Sequence, residues 1–206
     1  MAPSDTKDPF LRVPWIASQI GRPDVICRPP KSREPKDTSE DSLWAETLKD
    51  SRTINSCICF YQKPASGVGH AEEVSTAMTI GDGLNGHPAI LHGGITSTMV
   101  DEAMGMYQMI NKELAYEAQV QSGKVDGELP PVVLHAFTVE LNIKYLRTVQ
   151  TPGNVVITVK RVKVEGRKEW LAAELKQCTE HGAVEVCATG EALFITPRVS
   201  PRPSKI

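Results

Sequence analysis

The sequence lacks a long apolar run, a marked excess of charge and a paired set of cysteines. No stretch approaches the ~20 apolar residues that a transmembrane helix needs, so we expect no membrane span. The formal net charge of −2 gives no electrostatic reason to expect nucleic acid or an anionic membrane as a partner. With 206 residues, of which 40% are apolar and 23% charged, the chain has the composition of a globular protein with one full core.

The five cysteines are scattered, and none belongs to a Cys-x-x-Cys pair. Cys57 and Cys59 would share a face on a strand, but no neighbouring side chain completes a metal site. We therefore expect free thiols, and neither a metal nor another cofactor. Residues 1–10 contain Asp5 and Asp8 and no apolar run, so they do not read as a secretory signal and we expect a cytoplasmic protein.

Proline-rich, charged segments at both ends divide the chain into three parts. Residues 1–37 are predicted to form an extended arm, because their composition cannot bury enough surface to order independently. The apolar residues within this arm are expected to dock on the domain. Residues 38–197 are predicted to form that domain, and residues 198–206 a short tail. Residues 111–131 are polar and end in two prolines, which predicts an insertion or long loop.

The predicted domain has strands on both sides of one apolar helix. A short helix is predicted over residues 39–49. The strand-like runs are 56–63, 73–80, 132–148, 154–165, 169–179 and 183–195. Residues 95–110 are apolar around most of a helix circumference, which is typical of a buried helix. The pattern predicts an α+β fold, with a curled antiparallel sheet of about six strands wrapped around one long central helix.

The residues that carry chemistry lie at the start of this helix and within it. His92, Gly93 and Gly94 open the helix, and the two glycines let backbone N–H groups approach a ligand closely. Such a terminus stabilises the negative oxygen that develops when a thioester carbonyl is attacked. Asp101 lies within the apolar helix, where a carboxylate must be paired, hydrated or functional. The alternative is that Asp101 points to solvent beside Glu102.

This pattern resembles the hotdog-fold acyl-CoA thioesterases, in particular the branch that contains phenylacetyl-CoA thioesterase and the human thioesterase superfamily members. In that branch a His-Gly-Gly turn begins the central helix and an Asp follows nine residues after the His, as Asp101 follows His92. Residues 138–145, Thr-Val-Glu-Leu-Asn-Ile-Lys-Tyr, are similar to the family's Ser/Thr-x-x-Leu/Met-Asn-Ile-x-Tyr strand. The resemblance extends over roughly residues 40–195.

The resemblance implies a role for each matched residue. Asp101 matches the carboxylate that serves as nucleophile or as general base on water. Gly93 matches the residue whose N–H polarises the thioester carbonyl, and His92 the residue that shapes the turn. Thr138 matches the Ser/Thr that helps orient the attacking water. Gly94, next in the turn, is expected to contact the substrate.

Four further residues are candidates for contact with the substrate. The family often places an Asn or Gln six residues before the His to hydrogen-bond the carbonyl, but here that position is Gly86. Asn85 and His87 flank it, and either is a candidate to replace the missing amide. Lys144 and Arg147 lie beside the strand motif. They are candidates to meet the phosphates of coenzyme A, or are simply exposed strand charges.

Helix geometry predicts that the site is shared between two subunits. Asp101 lies eight residues beyond Gly93, or ~12 Å along a helix that rises ~1.5 Å per residue. A carbonyl held at Gly93 cannot also lie within the ~3 Å that general-base chemistry requires. Antiparallel helices in a symmetric dimer would bring Asp101 of one subunit to the partner's Gly93. We therefore predict a homodimer or a dimer of dimers, and the resemblance implies the same.

The leading hypothesis is hydrolysis of an acyl-CoA or acyl-carrier thioester to free acid and thiol. Three alternatives stay open: a hotdog dehydratase or hydratase acting on 3-hydroxyacyl thioesters, a non-catalytic acyl-thioester-binding protein, and product release from a biosynthetic synthase. The dehydratase branch is associated with an Asp-x-x-x-x-His helix pattern, which is missing here. The pocket depth, and with it the acyl group, depends on how residues 1–37 and 111–131 pack over the helix.

Overall fold

One long helix and one antiparallel sheet make up most of the structure, a computed structural model that describes residues 4–125 and 136–198. The helices are α1 (Asp8–Leu11), α2 (Pro14–Ile20) and α3 (Gly93–Gln121). The strands are β1 (Val25–Arg28), β2 (Ile54–Gln62), β3 (Glu73–Ile80), β4 (Asn85–His87), β5 (Ile90–Leu91), β6 (Phe137–Tyr145), β7 (Gly153–Glu165), β8 (Lys168–Cys178) and β9 (Val184–Ile195). The connections include 3₁₀ turns at Lys31–Arg33 and Asp82–Leu84 and a π-helical turn at Leu43–Thr47.

The large sheet has seven strands in the order β1-β2-β3-β7-β8-β9-β6, and every neighbouring pair is antiparallel. Helix α3 contacts β3, β6, β7, β8 and β9, so the sheet curls around it. The predicted α+β hotdog architecture is confirmed, and all six predicted strands are present. The sheet has one strand more than predicted, because β1 of the N-terminal arm pairs with β2.

Helix α3 is buried by its apolar side chains. Met99, Val100, Ala103 and Met104 are inaccessible to solvent and pack on the inner face of the sheet. Gly190 on β9 permits the close approach, since a Cβ there would lie 2.7 Å from Cγ1 of Val100. Within residues 4–125 and 136–198, no helix has both the length and the apolar character needed to cross a membrane.

Helix α3 is longer than the sequence predicted, and residues 111–121 are its last three turns rather than a loop. Their polar side chains have partners in distant segments. Asn111 accepts a hydrogen bond from the N–H of Ala71 at 2.7 Å. Glu113 is buried and forms ion pairs with Arg28 at 2.6 Å and Lys31 at 2.7 Å. Residues 126–131 of the predicted insertion lie outside the described residues, as do residues 132–135 and most of the predicted tail.

The N-terminal arm is folded onto the sheet, which corrects the prediction of an extended segment. Phe10, Ile16 and Ile20 are buried against Ile58 and Phe60 on the outer face of the sheet, the face turned away from α3. Prolines in the first turns of α1 and α2 favour these short helices, because a helix's first N–H groups have no intrahelical partner to lose. The predicted helix over residues 39–49 is reduced to the π-helical turn Leu43–Thr47.

Candidate active site

The turn that begins α3 presents backbone N–H groups that have no acceptor among the described residues. His92 is the N-cap: its Nδ1 accepts a hydrogen bond from Gly94 N at 2.9 Å, and its carbonyl accepts one from Thr96 N at 3.1 Å. Within the described residues, the Gly93 N–H donates no hydrogen bond. It lies at the positive end of the helix dipole, where a negative oxygen is stabilised. The Gly94 N–H is occupied. Gly93 and Ile95 keep N–H groups without an acceptor among the described residues, and Gly93 is the first residue of the helix.

Tyr145, the last residue of β6, holds this turn in place. Its hydroxyl donates to the carbonyl oxygen of Gly93 at 2.9 Å and lies 2.7 Å from Oγ of Ser97. Its ring packs on Gly93, where a Cβ would lie 3.5 Å from the ring carbons. In the sequence, Tyr145 is recognisable only as the last residue of the strand motif. Its place in that motif, seven residues after Thr138, was the available signal for a role in the site.

Asp101 and Thr138 meet eight residues further along the helix. The Thr138 hydroxyl donates a hydrogen bond of 2.8 Å to Oδ1 of Asp101. Asp101 is half-buried, so the carboxylate has both a fixed partner and access to water. The two residues are thus in direct contact, although they are separated by 37 positions in the chain.

Glu102 does not share the surroundings of Asp101. Its carboxylate accepts a hydrogen bond from the hydroxyl of Ser32 in the N-terminal arm. Burial raises the pKa of Glu102 to about 7, and the negative charges of Asp41 and Asp101 add to this shift. The alternative that Asp101 and Glu102 point together to solvent is wrong, because the arm covers the side of α3 that carries Glu102.

In one protomer the Gly93 turn and the Asp101–Thr138 pair lie apart, and we call these two groups of residues the half-sites. Gly93 and Asp101 are separated by eight residues of continuous helix, which is ~12 Å. Strand β6 contacts both positions, through Tyr145 at Gly93 and through Thr138 at Asp101. The geometry agrees with the argument from helix spacing that the carbonyl and the general base must come from different helices.

Gly86, at the position where the family often has an amide side chain, packs closely against His92. A Cβ on Gly86 would lie 3.0 Å from Cδ2 and 3.1 Å from Cα of His92, so a larger residue would displace the ring. The Oδ1 of Asn85 accepts a hydrogen bond from the Thr151 hydroxyl, which leaves the NH₂ of Asn85 as its remaining donor. His87 is exposed in the hairpin formed by β4 and β5.

The two basic candidates lie on different surfaces. Lys144 lies on the outer face of the sheet, in a shallow pocket with Glu174 and Lys176, and so it does not line the site of this protomer. Side chains alternate along a strand, and its neighbour Tyr145 takes the face toward α3. Arg147 does lie near the turn. It lines a pocket of about 350 Å³ together with Gly93. Its guanidinium pairs with Glu185 at 3.1 Å.

The described residues contain no group of three or more His, Cys, Asp and Glu side chains placed to hold a metal ion. All five cysteines are free thiols. Burial raises the pKa of Cys57, Cys59 and Cys187 above that of an ordinary thiol. These thiols are therefore in the neutral form at physiological pH, which is not the nucleophilic form.

Comparison with known proteins finds similarity that includes this region. Residues 89–168 match the family model of the thioesterase superfamily. A Lecanicillium sp protein, Verlamelin biosynthesis protein B, is 25% identical over an alignment of 179 residues that covers 77% of this chain and 74% of that protein. An uncharacterized protein of Schizosaccharomyces pombe is 27% identical over 116 residues, and the match spans only about half of each chain, 55% and 54% respectively.

Solved structures give likenesses of the same kind. The crystal structure of thioesterase superfamily member 2 from Mus musculus is 19% identical and covers 61% of this chain and 76% of its own, with a TM-score of 0.45. A Bacillus halodurans protein crystallised with CoA is 26% identical and covers 62% and 70%, with a TM-score of 0.44. The family match contains Gly93, Asp101 and Thr138. The part of the chain that carries these residues is thus similar to the thioesterase superfamily, and the structure around it has the hotdog fold.

Proposed function

We propose that this protein hydrolyses an acyl-CoA or other acyl thioester to the free acid and the thiol. The observation that carries the proposal is the hydrogen bond from Thr138 to Asp101, which fixes a half-buried carboxylate beside solvent. The family match over residues 89–168 supports the same class of reaction. The spacing of His92, Gly93 and Asp101 supports the branch that contains phenylacetyl-CoA thioesterase.

The proposed mechanism uses one group from each half-site. The Gly93 N–H and the helix dipole hold the thioester carbonyl and the oxyanion that forms from it. Asp101 takes a proton from water as the water oxygen attacks the carbonyl carbon. The bond from Thr138 occupies Oδ1 of Asp101 and leaves Oδ2 for this water. The intermediate collapses with cleavage of the C–S bond, and the departing thiolate receives the proton.

The proposed site is completed by a second subunit. Strand β6 forms one edge of the sheet, and its apolar residues Phe137, Val139 and Tyr145 are 66%, 57% and 56% exposed. An open apolar edge of this kind favours pairing with another strand. We propose a homodimer, or a dimer of such dimers, in which Asp101 of one subunit faces the partner's Gly93.

The test is to follow thiol release from short, long and aromatic acyl-CoAs by the wild-type protein and by Asp101→Asn. We expect the variant to lose at least ~10²-fold in rate, which is the scale of a general base. Asp82→Asn is the matched control, because Asp82 is exposed and pairs only with the exposed Arg52. Unchanged turnover in Asp101→Asn would contradict the mechanism. No thiol release by the wild-type protein would favour the non-catalytic acyl-binding alternative.

A second candidate is the release of a thioester-bound product from a biosynthetic synthase. Similarity to Verlamelin biosynthesis protein B favours it. The chemistry would be the same, with a carrier protein in place of coenzyme A. Rates on one acyl group, attached either to coenzyme A or to a phosphopantetheinylated carrier protein, would separate the two. The dehydratase alternative has less support, because Nδ1 of His92 accepts from Gly94 rather than pairing with a carboxylate.

A further inference from the structure

We propose that the pocket beside Gly93 binds the acyl chain of the substrate, and that Cys187 and Ala188 at its floor limit the length of that chain. The inference rests on the proposed function, since it takes the thioester carbonyl to lie at the Gly93 N–H. The pocket begins at that residue, so a group bonded to the carbonyl carbon has a direct path into it.

The lining of the pocket is mostly hydrocarbon. It lies between the start of α3, the segment after β6 and strand β9. Its apolar lining residues include Ile90, Leu91, Tyr145, Leu146, Val149 and Ala188. Thr96, Thr148 and Arg147 are the polar side chains of the lining, and Arg147 is already paired with Glu185.

A β-bulge on β9 places Cys187 and Ala188 next to each other in the pocket lining, and we call these two residues the floor. Leu175 on β8 lies opposite Ala188, and the next residue, Lys176, lies opposite Val186. Cys187 is therefore the extra residue, with no partner across the strand pair. In regular strands two successive side chains point to opposite faces, whereas a bulge turns one of them aside. Cys187 and Ala188 both line the pocket as a result, and they are only 4% and 1% exposed.

The same bulge ends the pairing of β6 with β9. The last paired residues are Tyr145 and Ala188. Beyond them, the N–H groups of Leu146 and Arg147 both donate to the carbonyl oxygen of Cys187, at 2.8 and 3.0 Å. The backbone at the floor is thus hydrogen-bonded within the protein. The space above it is left to apolar side chains.

These features define the occupant. The amides of a pantetheine arm and the phosphates of a nucleotide need polar partners, and an apolar pocket makes their burial costly. A hydrocarbon chain gains free energy from the same burial. The volume of about 350 Å³ lies at the low end for ligand pockets, which favours an occupant of short or medium length over a long one. We therefore assign a medium-chain or single-ring acyl group.

The experiment measures binding without chemistry. Dissociation constants of S-butyl-, S-octyl- and S-dodecyl-coenzyme A, which are thioethers and cannot be hydrolysed, are determined by calorimetry. For the wild-type protein we expect octyl to bind at least about tenfold more tightly than butyl, and dodecyl to add little. Equal affinity for all three, or binding of none, would overturn the inference.

Two substitutions move the floor in opposite directions. Ala188→Leu fills the pocket and should remove the advantage of octyl over butyl. Cys187→Ala removes one sulfur atom, which makes room for about one more methylene, and should raise the affinity for dodecyl relative to octyl about fourfold. Cys27→Ala is the matched control, because Cys27 lies on β1 and outside the pocket. An unchanged chain-length profile in Cys187→Ala, a substitution that a fold tolerates well, would overturn the inference even if Ala188→Leu failed to fold.

The two proposals fail in different ways. If no acyl-CoA is hydrolysed but the thioether affinities follow the floor substitutions, the proposed function is wrong and the acyl pocket stands. If acyl-CoAs are hydrolysed with the same chain-length preference in all variants, the acyl pocket is wrong and the proposed function stands.

Discussion

At the scale of single residues, Gly93 can be tested by a substitution that removes one hydrogen-bond donor and little else. Proline suits the first position of a helix, and His92 before it has the extended backbone (φ −64°, ψ 133°) that a following proline requires. A Cβ at residue 93 meets the Tyr145 ring at an ordinary contact distance of 3.5 Å. We expect Gly93→Pro to lower kcat by about 10²–10³-fold, the cost of one oxyanion donor.

Gly93→Ala is the matched variant, because it adds the same Cβ and keeps the N–H. It should lose far less activity than Gly93→Pro in the same thiol-release assay, with similar thermal unfolding for both proteins. An equal loss in the two variants would mean that the position is sensitive to volume and not to the donor.

Glu102 predicts a dependence of stability on pH. Its pKa in the folded protein is about 7, above the ordinary value of 4.5, so the folded state disfavours its ionised form. The contribution of Glu102 to the free energy of unfolding is therefore fully present below pH ~4.5, where the group is protonated in both states. It is lost as the pH rises through ~7, because the folded state then has to bury the ionised carboxylate. Glu102→Gln keeps an acceptor for Ser32 and removes the charge. We expect it to raise the free energy of unfolding at pH 8 by on the order of 1–2 kcal/mol and to change it little at pH 4.

Urea unfolding of both proteins across this pH range measures the difference, and other titrating groups cancel in it. Glu165→Gln serves as the control, since Glu165 is exposed and pairs with the exposed Lys163. A difference between wild type and Glu102→Gln that stays constant with pH would show that Glu102 does not titrate with a raised pKa.

The sequence identifies some residues of the site and misses others for physical reasons. Asp101 and Thr138 could be paired because the helix and the strand motif each carry a recognisable spacing. The sequence predicts no role for Tyr145, because its contact with Gly93 depends on how β6 crosses the helix. The sequence left Lys144 open between a substrate contact and an exposed strand charge, because strand alternation decides the face and the sequence does not set the register of β6 against α3.

At the scale of elements, local patterns predict the strands better than the helix ends. All six predicted strands are present, since alternation and turn residues are local signals. The interactions that determine where α3 ends are not local. Asn111 and Glu113 read as loop residues, but Ala71, Arg28 and Lys31 supply their partners from other segments. The arm docks on the domain as expected, but its helices were not predicted, because they are stable only where their apolar residues pack on the outer face of the sheet.

The junction between the arm and the domain is held together by the side chain of Arg33. The guanidinium of Arg33, 1% exposed, donates to the carbonyls of Trp44 (3.1 Å), Leu48 (2.8 Å) and Ile54 (2.7 Å) and pairs with Asp5 at 3.2 Å. Arg33→Met removes the guanidinium from all three carbonyls at once and leaves Asp5 with Lys49 and the N–H of Cys57 as partners. We expect it to lower the free energy of unfolding by about 3–5 kcal/mol.

The midpoint of urea denaturation measures this loss. Arg52→Met is the matched control, because Arg52 is exposed and its ion pair with Asp82 is also exposed; such pairs contribute little. A loss in Arg33→Met no larger than that in the control would mean that the arm does not depend on this residue.

At the scale of the whole molecule, the two edges of the sheet are unlike. The arm adds β1 to the edge formed by β2 and covers part of the outer face with α1 and α2. The other edge, β6, carries the exposed apolar residues and both anchors of the half-sites. Association through the β6 edge would therefore bury apolar surface and also bring the half-sites of two subunits together. Association through the arm would leave the half-sites apart.

Mixing two inactive variants tests this arrangement. Asp101→Asn keeps Gly93 intact, and Gly93→Pro keeps Asp101 intact, so each homodimer has two defective sites. In a mixed dimer with sites across the interface, one site combines Gly93 of the first variant with Asp101 of the second and is whole, while the other site carries both defects. Unfolding and refolding the two proteins together in equal amounts should make about half of the dimers mixed, and so restore about a quarter of wild-type activity. Each variant refolded alone is the control. Sites contained within single subunits would give no recovery, because every subunit in the mixture would still carry one of the two defects.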